Sequence, residues 1–290
     1  MTQFGIQQVT PAIRRVTFTN GPVNVVGADT LAELSGVVEA LSGDERVRVV
    51  IFDSGTPGYF YNHADLDQLG ALLTLADSDS TPMFVALATR LAAAPFVSIA
   101  SIRGRTRGGG AELALAFDLR YASREEAFFC QPEVATGLVP GGGGGDRLPR
   151  LVGRDRALEV LLTSEDYDAD RAERYGWVTR TVPDADLDAF VDAVAARIAL
   201  FDRSSVLGVK AQINRATLPP AADVRASWTE FTGSVSWPGF QGRGAVFAAL
   251  FAEVGPDAVE RDLGHYLGVA NSPEVSSRSR SSLSEPGSAA

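Results

Sequence analysis

The chain has 290 residues, of which 45% are hydrophobic and 21% charged, ordinary values for a globular protein with a large core. Its formal net charge of −10 argues against a broad basic surface and therefore against nucleic-acid binding. A single cysteine, Cys130, excludes an internal disulfide. The sequence opens on no charged-then-apolar leader and holds no apolar run long enough to cross a membrane. These features predict a soluble cytoplasmic protein with no membrane partner.

Strands and helices alternate from the start of the chain. Residues 13–18 predict a first strand, and Asp29 is a candidate N-cap for a helix that buries Leu31, Leu34, Val38 and Leu41. Residues 47–52 form an almost continuous apolar run, as expected for a buried strand. A helix begins at Thr81-Pro82 and ends at Pro95. The small polar stretch 68–80 suits either a mobile lid or a helix packed on a neighbouring subunit.

The second half of the pattern continues in the same way. Strands are predicted at residues 119–122, 127–129 and 178–182, and a helix at 154–163 with Leu158, Leu161 and Leu162 buried. Asp168 caps a short helix that stops at Gly176, and Asp186 starts an amphipathic one. Small strand-strand-helix units therefore recur, without a visible sequence repeat.

Three regions follow from these patterns. Residues 1–200 form a mixed α/β core, and residues 201–270 a C-terminal helical region. Within the latter, residues 245–254 are so apolar that Val246, Phe247, Leu250 and Phe251 are not expected to be covered within a monomer. Residues 271–290 are rich in serine and poor in apolar residues, which predicts a disordered tail.

The most informative stretch joins a strand at residues 97–102 to a helix through Gly108-Gly109-Gly110. Glycines at such a junction allow close backbone approaches, and the first turn of a helix leaves N–H groups free for a developing negative charge. Glu112 is expected in that first turn. Glu133 follows Gln131-Pro132 and precedes a second glycine run at residues 141–145. Each acid alone could merely favour a helix start, but together with both glycine runs they indicate acid–base chemistry.

The motifs also resemble a known family. Residues 102–114, Asp118, Gln131-Pro132-Glu133, Gly137, Pro140-Gly141 and Arg147-Leu148 are similar to the enoyl-CoA hydratase/isomerase family, the crotonases, with the likeness running from about Val16 to Ala199. The resemblance implies an α/β spiral of strand-strand-helix units with a C-terminal helical oligomerisation region. It also implies a homo-trimer or dimer of trimers, an acyl-CoA substrate of fatty-acid metabolism, and no cofactor beyond the coenzyme A of that substrate.

The resemblance assigns roles to individual residues. The N–H groups of Ala64 and Gly109 match the oxyanion hole, Glu112 matches the residue that holds and activates water, and Glu133 matches the one that exchanges the α-proton. His63, Asp65, Gly108 and Gly141 are the expected substrate-binding residues, with the Gly141 backbone positioning the water. His63 stands where the family usually has glycine, and either packing or proton transfer would suit it. Asp67 lies near a position where relatives carry a lysine that meets the coenzyme phosphate.

Three functions fit these residues. Hydration of a 2-enoyl-CoA thioester is favoured because both glutamates are present. The alternatives are an enoyl-CoA double-bond isomerase and a catalytically silent trimeric scaffold of the same family. A nucleotide triphosphatase is excluded because no Gly-Lys-Ser/Thr follows the glycine runs, and no Cys/His cluster predicts a metal. Arg103, Arg105 and Arg107 are expected to be solvated or paired with a neighbour's acids, or else to bind coenzyme phosphates.

Overall fold

The computed structural model describes residues 2–272. Within this range nine strands form two sheets. The larger sheet has six strands in the order β1-β2-β3-β4-β6-β9, and the smaller has three in the order β5-β7-β8. The strands are β1 Phe4–Thr10, β2 Ile13–Phe18, β3 Val49–Ser54, β4 Val97–Ile102, β5 Arg105–Arg107, β6 Leu119–Ser123, β7 Phe128–Cys130, β8 Tyr167–Asp168 and β9 Arg180–Val182.

Fifteen α-helices connect and cover the strands within the described range. They are α1 Ala28–Ser42, α2 Leu69–Thr74, α3 Met83–Ala93, α4 Gly108–Ala114, α5 Glu133–Thr136, α6 Gly144–Val152, α7 Arg154–Thr163, α8 Ala169–Tyr175, α9 Leu187–Ala199, α10 Arg203–Thr217, α11 Ala221–Ser234, α12 Pro238–Gln241, α13 Gly244–Val254, α14 Pro256–Arg261 and α15 Leu263–Ala270.

The chain winds between the two sheets as it advances. β4 and β6 pair in parallel within the larger sheet, whereas β5 and β7, which follow each of them, pair in parallel within the smaller one. Two successive turns, β4-β5-α4 and β6-β7-α5, each add a strand to each sheet before a helix packs against them. The predicted spiral of strand-strand-helix units is therefore confirmed.

The larger sheet is buried on both faces. Val50 and Phe52 of β3 point into the main core with α1 and α3, while Val49 and Ile51 point to the opposite face, which α9 covers. Side chains alternate between faces along a strand, so a strand with two covered faces has an unbroken apolar run. This explains why the sequence from residue 47 onward identified β3 so clearly.

Some predicted boundaries and faces are wrong. The strand at residues 13–18 is the second, because β1 precedes it and pairs with it antiparallel; all of β1 except Phe4 is exposed, so its apolar pattern is weak. Helix α1 is capped by Gly27, and Asp29 lies in its first turn. In α7 the buried residues are Ala157 and Val160, whereas Leu162 is 62% exposed. Leu158 and Leu162 therefore point to the surface of the chain, whereas Leu161 is partly buried against the main core.

The C-terminal helices fold back onto their own chain. Val246 and Leu250 of α13 are buried against Cys130, Val259 and Leu263, with Phe247 and Phe251 packed beside them. The prediction of missing cover is wrong for Val246 and Leu250, which α14 and α15 cover, whereas Phe247 and Phe251 are only partly buried. Asn271 ends α15 and donates to Ala135 O, so the predicted tail does not begin at residue 271. Its residues 273–290 lie outside the described range.

The stretch 68–80 is ordered within the chain. It contains α2, whose Leu72 is buried in the main core, and a bridge between Ala76 and Pro82. The second predicted alternative was a helix packed on a neighbouring subunit. A helix is present in this stretch, and the core that α2 packs on belongs to its own chain. In the part of the chain that is described, no helix is long and apolar enough to span a membrane.

Candidate active site

The first feature of the site is a pair of backbone N–H groups brought together from two segments. Gly109 lies in the first turn of α4, where a helix has no carbonyl partners for its N–H groups. A Cβ placed on Gly109 would lie 3.7 Å from the nitrogen of Ala64. The N–H of Ala64 donates no backbone hydrogen bond among the described residues. Two N–H donors are therefore adjacent and available to one acceptor.

Close backbone packing holds these two segments together. A Cβ on Gly110 would lie 2.1 Å from the carbonyl oxygens of both Tyr61 and Asn62. Any side chain at residue 110 would push α4 away from the loop that carries Ala64. Gly108 adopts a φ of +46°, which allows the strand β5 to turn directly into the helix. The glycine junction thus sets the spacing of the two donors.

Glu112 occupies the second turn of α4, not the first as predicted, because the helix already begins at Gly108. Its side chain is buried, with the residue only 4% exposed. One carboxylate oxygen, Oε1, accepts hydrogen bonds from the N–H groups of Gly142 and Gly144, each at 2.8 Å. The second glycine run therefore binds the first carboxylate. Burial raises the pKa of Glu112 to about 7, with the charge of Asp146 adding to the rise and the two N–H donors opposing it.

Glu133 lies at the start of α5 and is also buried, 8% exposed. Its Oε2 has no hydrogen-bond partner within residues 2–272. Burial raises the pKa of Glu133 well above its usual value, and the negative charge of Glu112 raises it further. Two buried carboxyl groups that repel each other's ionisation hold a shared proton to a higher pH than either group would alone. The two N–H donors favour the ionised form on Glu112, so the proton is favoured on Glu133.

Aromatic side chains cover Glu112. A Cβ on Gly142 would lie 2.3 Å from the ring of Phe84 and 2.7 Å from Glu112 Oε2. Gly141 is covered by Phe231 of α11, and Trp228 stacks on Phe84 and lies tilted against Phe231. Because these rings exclude water, they contribute to the burial that raises the pKa of Glu112.

His63 lies beside the N–H donors and forms an ion pair. Its Nε2 is 2.9 Å from Glu260 Oε1, and its Nδ1 is 2.9 Å from the carbonyl oxygen of Ala64. Burial lowers the pKa of His63, but the hydrogen bond and the charge of Glu260 outweigh it, so the pKa is raised overall. Both ring nitrogens have acceptors as partners, which indicates packing and pairing rather than free proton transfer.

The other predicted residues lie around the same space. A Cβ on Gly108 would lie 3.1 Å from Glu133 Oε1 and 3.3 Å from His63 Cβ, so Gly108 lines the gap between these side chains. Asp65 is used within its own loop: it accepts from the N–H of Asp67 and from the amide of Gln68. Its carboxylate therefore caps a turn. Asp67 is exposed in that turn.

Three arginines expected to be solvated or paired with a neighbour instead bind groups of their own chain. Arg103 pairs with Asp184 and Asp188. Arg105 donates to the carbonyl oxygen of Arg261. Arg107 is fully buried and donates through Nε and Nη2 to both oxygens of Asp166. Arg107 is thus a structural residue that anchors the strand before Gly108.

Sequence reasoning missed Glu260 and Phe84 as parts of this site. Glu260 is 197 residues from His63 in sequence, and no motif connects the two. Phe84 lies in α3, a helix that the sequence predicted without any link to the site. In the described range, no group of three or more His, Cys, Asp and Glu residues could hold a metal ion.

The fold, the pair of N–H donors and the two buried glutamates are the features that the resemblance to the crotonases predicted. Comparison with known proteins points to the same family. The sequence matches the profile of the family "Enoyl-CoA hydratase/isomerase" over residues 8–231. The chain belongs to the enoyl-CoA hydratase/isomerase family.

Individual relatives are similar over most of their length. A Mycobacterium leprae protein described as enoyl-CoA hydratase EchA8 is 35% identical over 193 residues, covering 67% of this chain and 74% of the relative. A crotonyl-CoA hydratase of Syntrophomonas wolfei is 34% identical over 185 residues, covering 63% and 71%. A crystal structure from Streptomyces avermitilis, described as an enoyl-CoA hydratase, superimposes with a TM-score of 0.85 at 40% identity and covers 92% of this chain and 96% of that one.

Proposed function

We propose that this protein hydrates a 2-enoyl-CoA thioester. The observation that carries the proposal is the pair of buried glutamates, one held by two backbone N–H groups and the other unpartnered at Oε2, next to the N–H groups of Ala64 and Gly109. The names of the relatives, enoyl-CoA hydratase and crotonyl-CoA hydratase, support the same substrate class.

The proposed reaction divides the proton transfers between the two acids. Ionised Glu112 takes a proton from water as the water oxygen bonds to the β-carbon. Protonated Glu133 donates a proton to the α-carbon, which completes addition of water across the double bond. This assignment is supported by the hydrogen bonds that favour the ionised form of Glu112 and by the raised pKa of Glu133, whose Oε2 has no hydrogen-bond partner among the described residues. The Gly141–Gly144 backbone lies beside Glu112 and would help to position the water.

The N–H groups of Ala64 and Gly109 would bind the thioester oxygen. Negative charge builds on that oxygen as the water adds, so donors fixed beforehand stabilise the transition state more than the substrate. One such donor contributes about 3 kcal/mol to lowering a barrier. Since the carboxylates and the backbone supply every group in this scheme, we propose that no cofactor is needed beyond the coenzyme A of the substrate.

An assay with a panel of 2-enoyl-CoA and 3-enoyl-CoA thioesters tests the proposal. Hydration predicts a 3-hydroxyacyl-CoA product from the 2-enoyl substrates. It also predicts loss of activity in both Glu112→Gln and Glu133→Gln. An inactive Glu133→Gln with a nearly normal Glu112→Gln would instead identify an isomerase, in which one acid moves a proton and no water is activated. A wild-type chain that binds acyl-CoA and converts none of the panel would support the scaffold alternative.

We further propose that the chain assembles as a homo-trimer or a dimer of trimers in the cytoplasm. Apolar side chains remain exposed on a single chain, among them Leu162, Leu200, Val209 and Ile213, and such surfaces favour subunit contacts. The single cysteine, Cys130, is buried as a free thiol, as suits a reducing compartment. Sedimentation at micromolar concentration tests the assembly, and a stable monomer would contradict it.

A further inference from the structure

His63 forms a doubly hydrogen-bonded pair next to the proposed oxyanion hole. A carbonyl oxygen only accepts hydrogen bonds, so the contact of Nδ1 with the Ala64 carbonyl at 2.9 Å requires a proton on Nδ1. Nε2 meets the carboxylate of Glu260 at 2.9 Å. The other oxygen of that carboxylate accepts from the Asn62 amide at 3.1 Å. An imidazolium bound to an ionised Glu260 satisfies all of these contacts and leaves His63 no free nitrogen to act as a base.

The pair holds the loop that carries one N–H donor. Asn62 and His63 directly precede Ala64, and both side chains bind Glu260. The peptide between His63 and Ala64 is held from the other side, because the His63 carbonyl accepts from the N–H of Val26 at 3.0 Å. The orientation of the Ala64 N–H is therefore fixed by the N–H of Val26 on one side and by the carboxylate of Glu260 on the other.

The same residue also reaches the second donor segment. The backbone carbonyl of Glu260 accepts from Nη1 of Arg107, which directly precedes Gly108-Gly109. Arg107 is bound in turn to Asp166, whose Oδ2 accepts from the N–H of Gly264 in α15 at 2.9 Å. Helices α14 and α15 are thus tied to both segments of the site.

We propose that Glu260 is a positioning residue that completes the oxyanion hole, with its carboxylate fixing the Ala64 segment through His63 and Asn62 and its carbonyl fixing the Gly109 segment through Arg107. Donors act on a transition state only when they are held in place, and a displacement of about 1 Å can lower a rate by about 100-fold. The two donor segments already pack together through their backbones at Gly110, and Glu260 of the C-terminal region contacts both of them. The inference rests on the proposed use of Ala64 and Gly109 as donors.

The test uses the full-length chain and two measurements. The first is kcat and KM for a 2-enoyl-CoA. The second is the infrared stretching frequency of the thioester carbonyl in bound butyryl-CoA labelled with ¹³C at that carbon, which cannot be hydrated. Hydrogen bonds from the hole weaken the carbonyl bond, so the frequency should be lower in the wild-type complex than in free butyryl-CoA.

Glu260→Ala is expected to lower kcat by about 10- to 100-fold with little change in KM, and to return the bound carbonyl frequency toward the free value. If the alanine variant does not fold, Glu260→Gln replaces it in both measurements, because glutamine keeps the side-chain volume. The double variant His63→Ala/Glu260→Ala should be no slower than the slower single variant, because the two side chains act together. Asp257→Asn, exposed on the same helix, is the matched control and should leave both readouts unchanged.

The outcomes separate this inference from the proposed function. Wild-type kcat and an unchanged carbonyl frequency in both Glu260 variants would overturn the inference while hydration stands. A wild-type chain that lowers the carbonyl frequency but hydrates no substrate would overturn the proposed function, and loss of that frequency shift in Glu260→Ala would still support the positioning role. A wild-type chain with no frequency shift on bound butyryl-CoA would overturn the use of Ala64 and Gly109 as donors and the positioning role with it, whereas the product assay alone decides hydration.

Discussion

Replacing Glu112 with glutamine should make the protein more stable at neutral pH while removing its activity. The pKa of Glu112 is raised from 4.5 to about 7 in the folded chain, mainly by burial. Folding therefore favours the protonated form. Glutamine resembles that form, keeps an oxygen that can accept from the N–H groups of Gly142 and Gly144, and never ionises.

The size of the effect follows from the two pKa values. A group with a raised folded pKa stabilises the fold below its unfolded pKa and loses that contribution as the pH rises through the folded value. For Glu112 this window runs from pH 4.5 to about 7. At about 1.4 kcal/mol per pKa unit, the wild type loses on the order of 3 kcal/mol across the window, and the glutamine variant does not. Removing the charge of Glu112 also relieves Glu133, which acts in the same direction.

Urea unfolding of wild type and Glu112→Gln at pH 4 and pH 8 measures this difference. The variant should match the wild type at pH 4 and be more stable at pH 8, while its turnover of a 2-enoyl-CoA is nearly abolished. Glu253→Gln, exposed on α13, is the control and should change stability by less than about 0.5 kcal/mol at either pH. A stability difference that is the same at both pH values would refute the reasoning about the burial of this carboxyl group.

Three other predictions follow from the site. Glu133→Gln should lower kcat by about 10²- to 10⁴-fold with little change in KM, measured by steady-state kinetics, and combining it with the Glu112 change should add little. Gly142→Ala should lower kcat at least tenfold, because its Cβ would displace the Glu112 carboxylate, whereas Gly145→Ala, with open space at that position, should be normal; equal kinetics would contradict this. Arg107→Met should cost about 3–5 kcal/mol in urea unfolding by leaving Asp166 unpaired, and exposed Arg154→Met should cost almost nothing.

The sequence was most informative where local pattern and chemistry coincide. The glycine junction before Glu112 was visible because a strand, three glycines and helix-forming residues follow each other directly. The pairing of Glu112 with the second glycine run could not be derived from spacing, since its bonds to Gly142 and Gly144 join residues about thirty positions apart through the tertiary fold. The family resemblance brought the second glycine run to the site only through Gly141, as a backbone group that positions the water.

Other features depend on packing that no local pattern records. Leu158 and Leu162 of α7 were assigned to the wrong face, because the helix packs on the core through Ala157, Val160 and Leu161. Helix α13 was expected to need a partner subunit, because the covering residues Val259, Leu263 and Leu267 lie in two later short helices. Glu260 was missed for the same reason: its importance comes entirely from where α14 folds back.

Hydration of a 2-enoyl-CoA in water enriched in ¹⁸O tests the central claim most directly. With the wild-type chain we expect a 3-hydroxyacyl-CoA product that carries ¹⁸O at the β-carbon. With Glu112→Gln or Glu133→Gln we expect almost no labelled product, although both variants still bind the thioester. Full ¹⁸O incorporation by both variants, or none by a wild-type chain that binds the substrate, would contradict it.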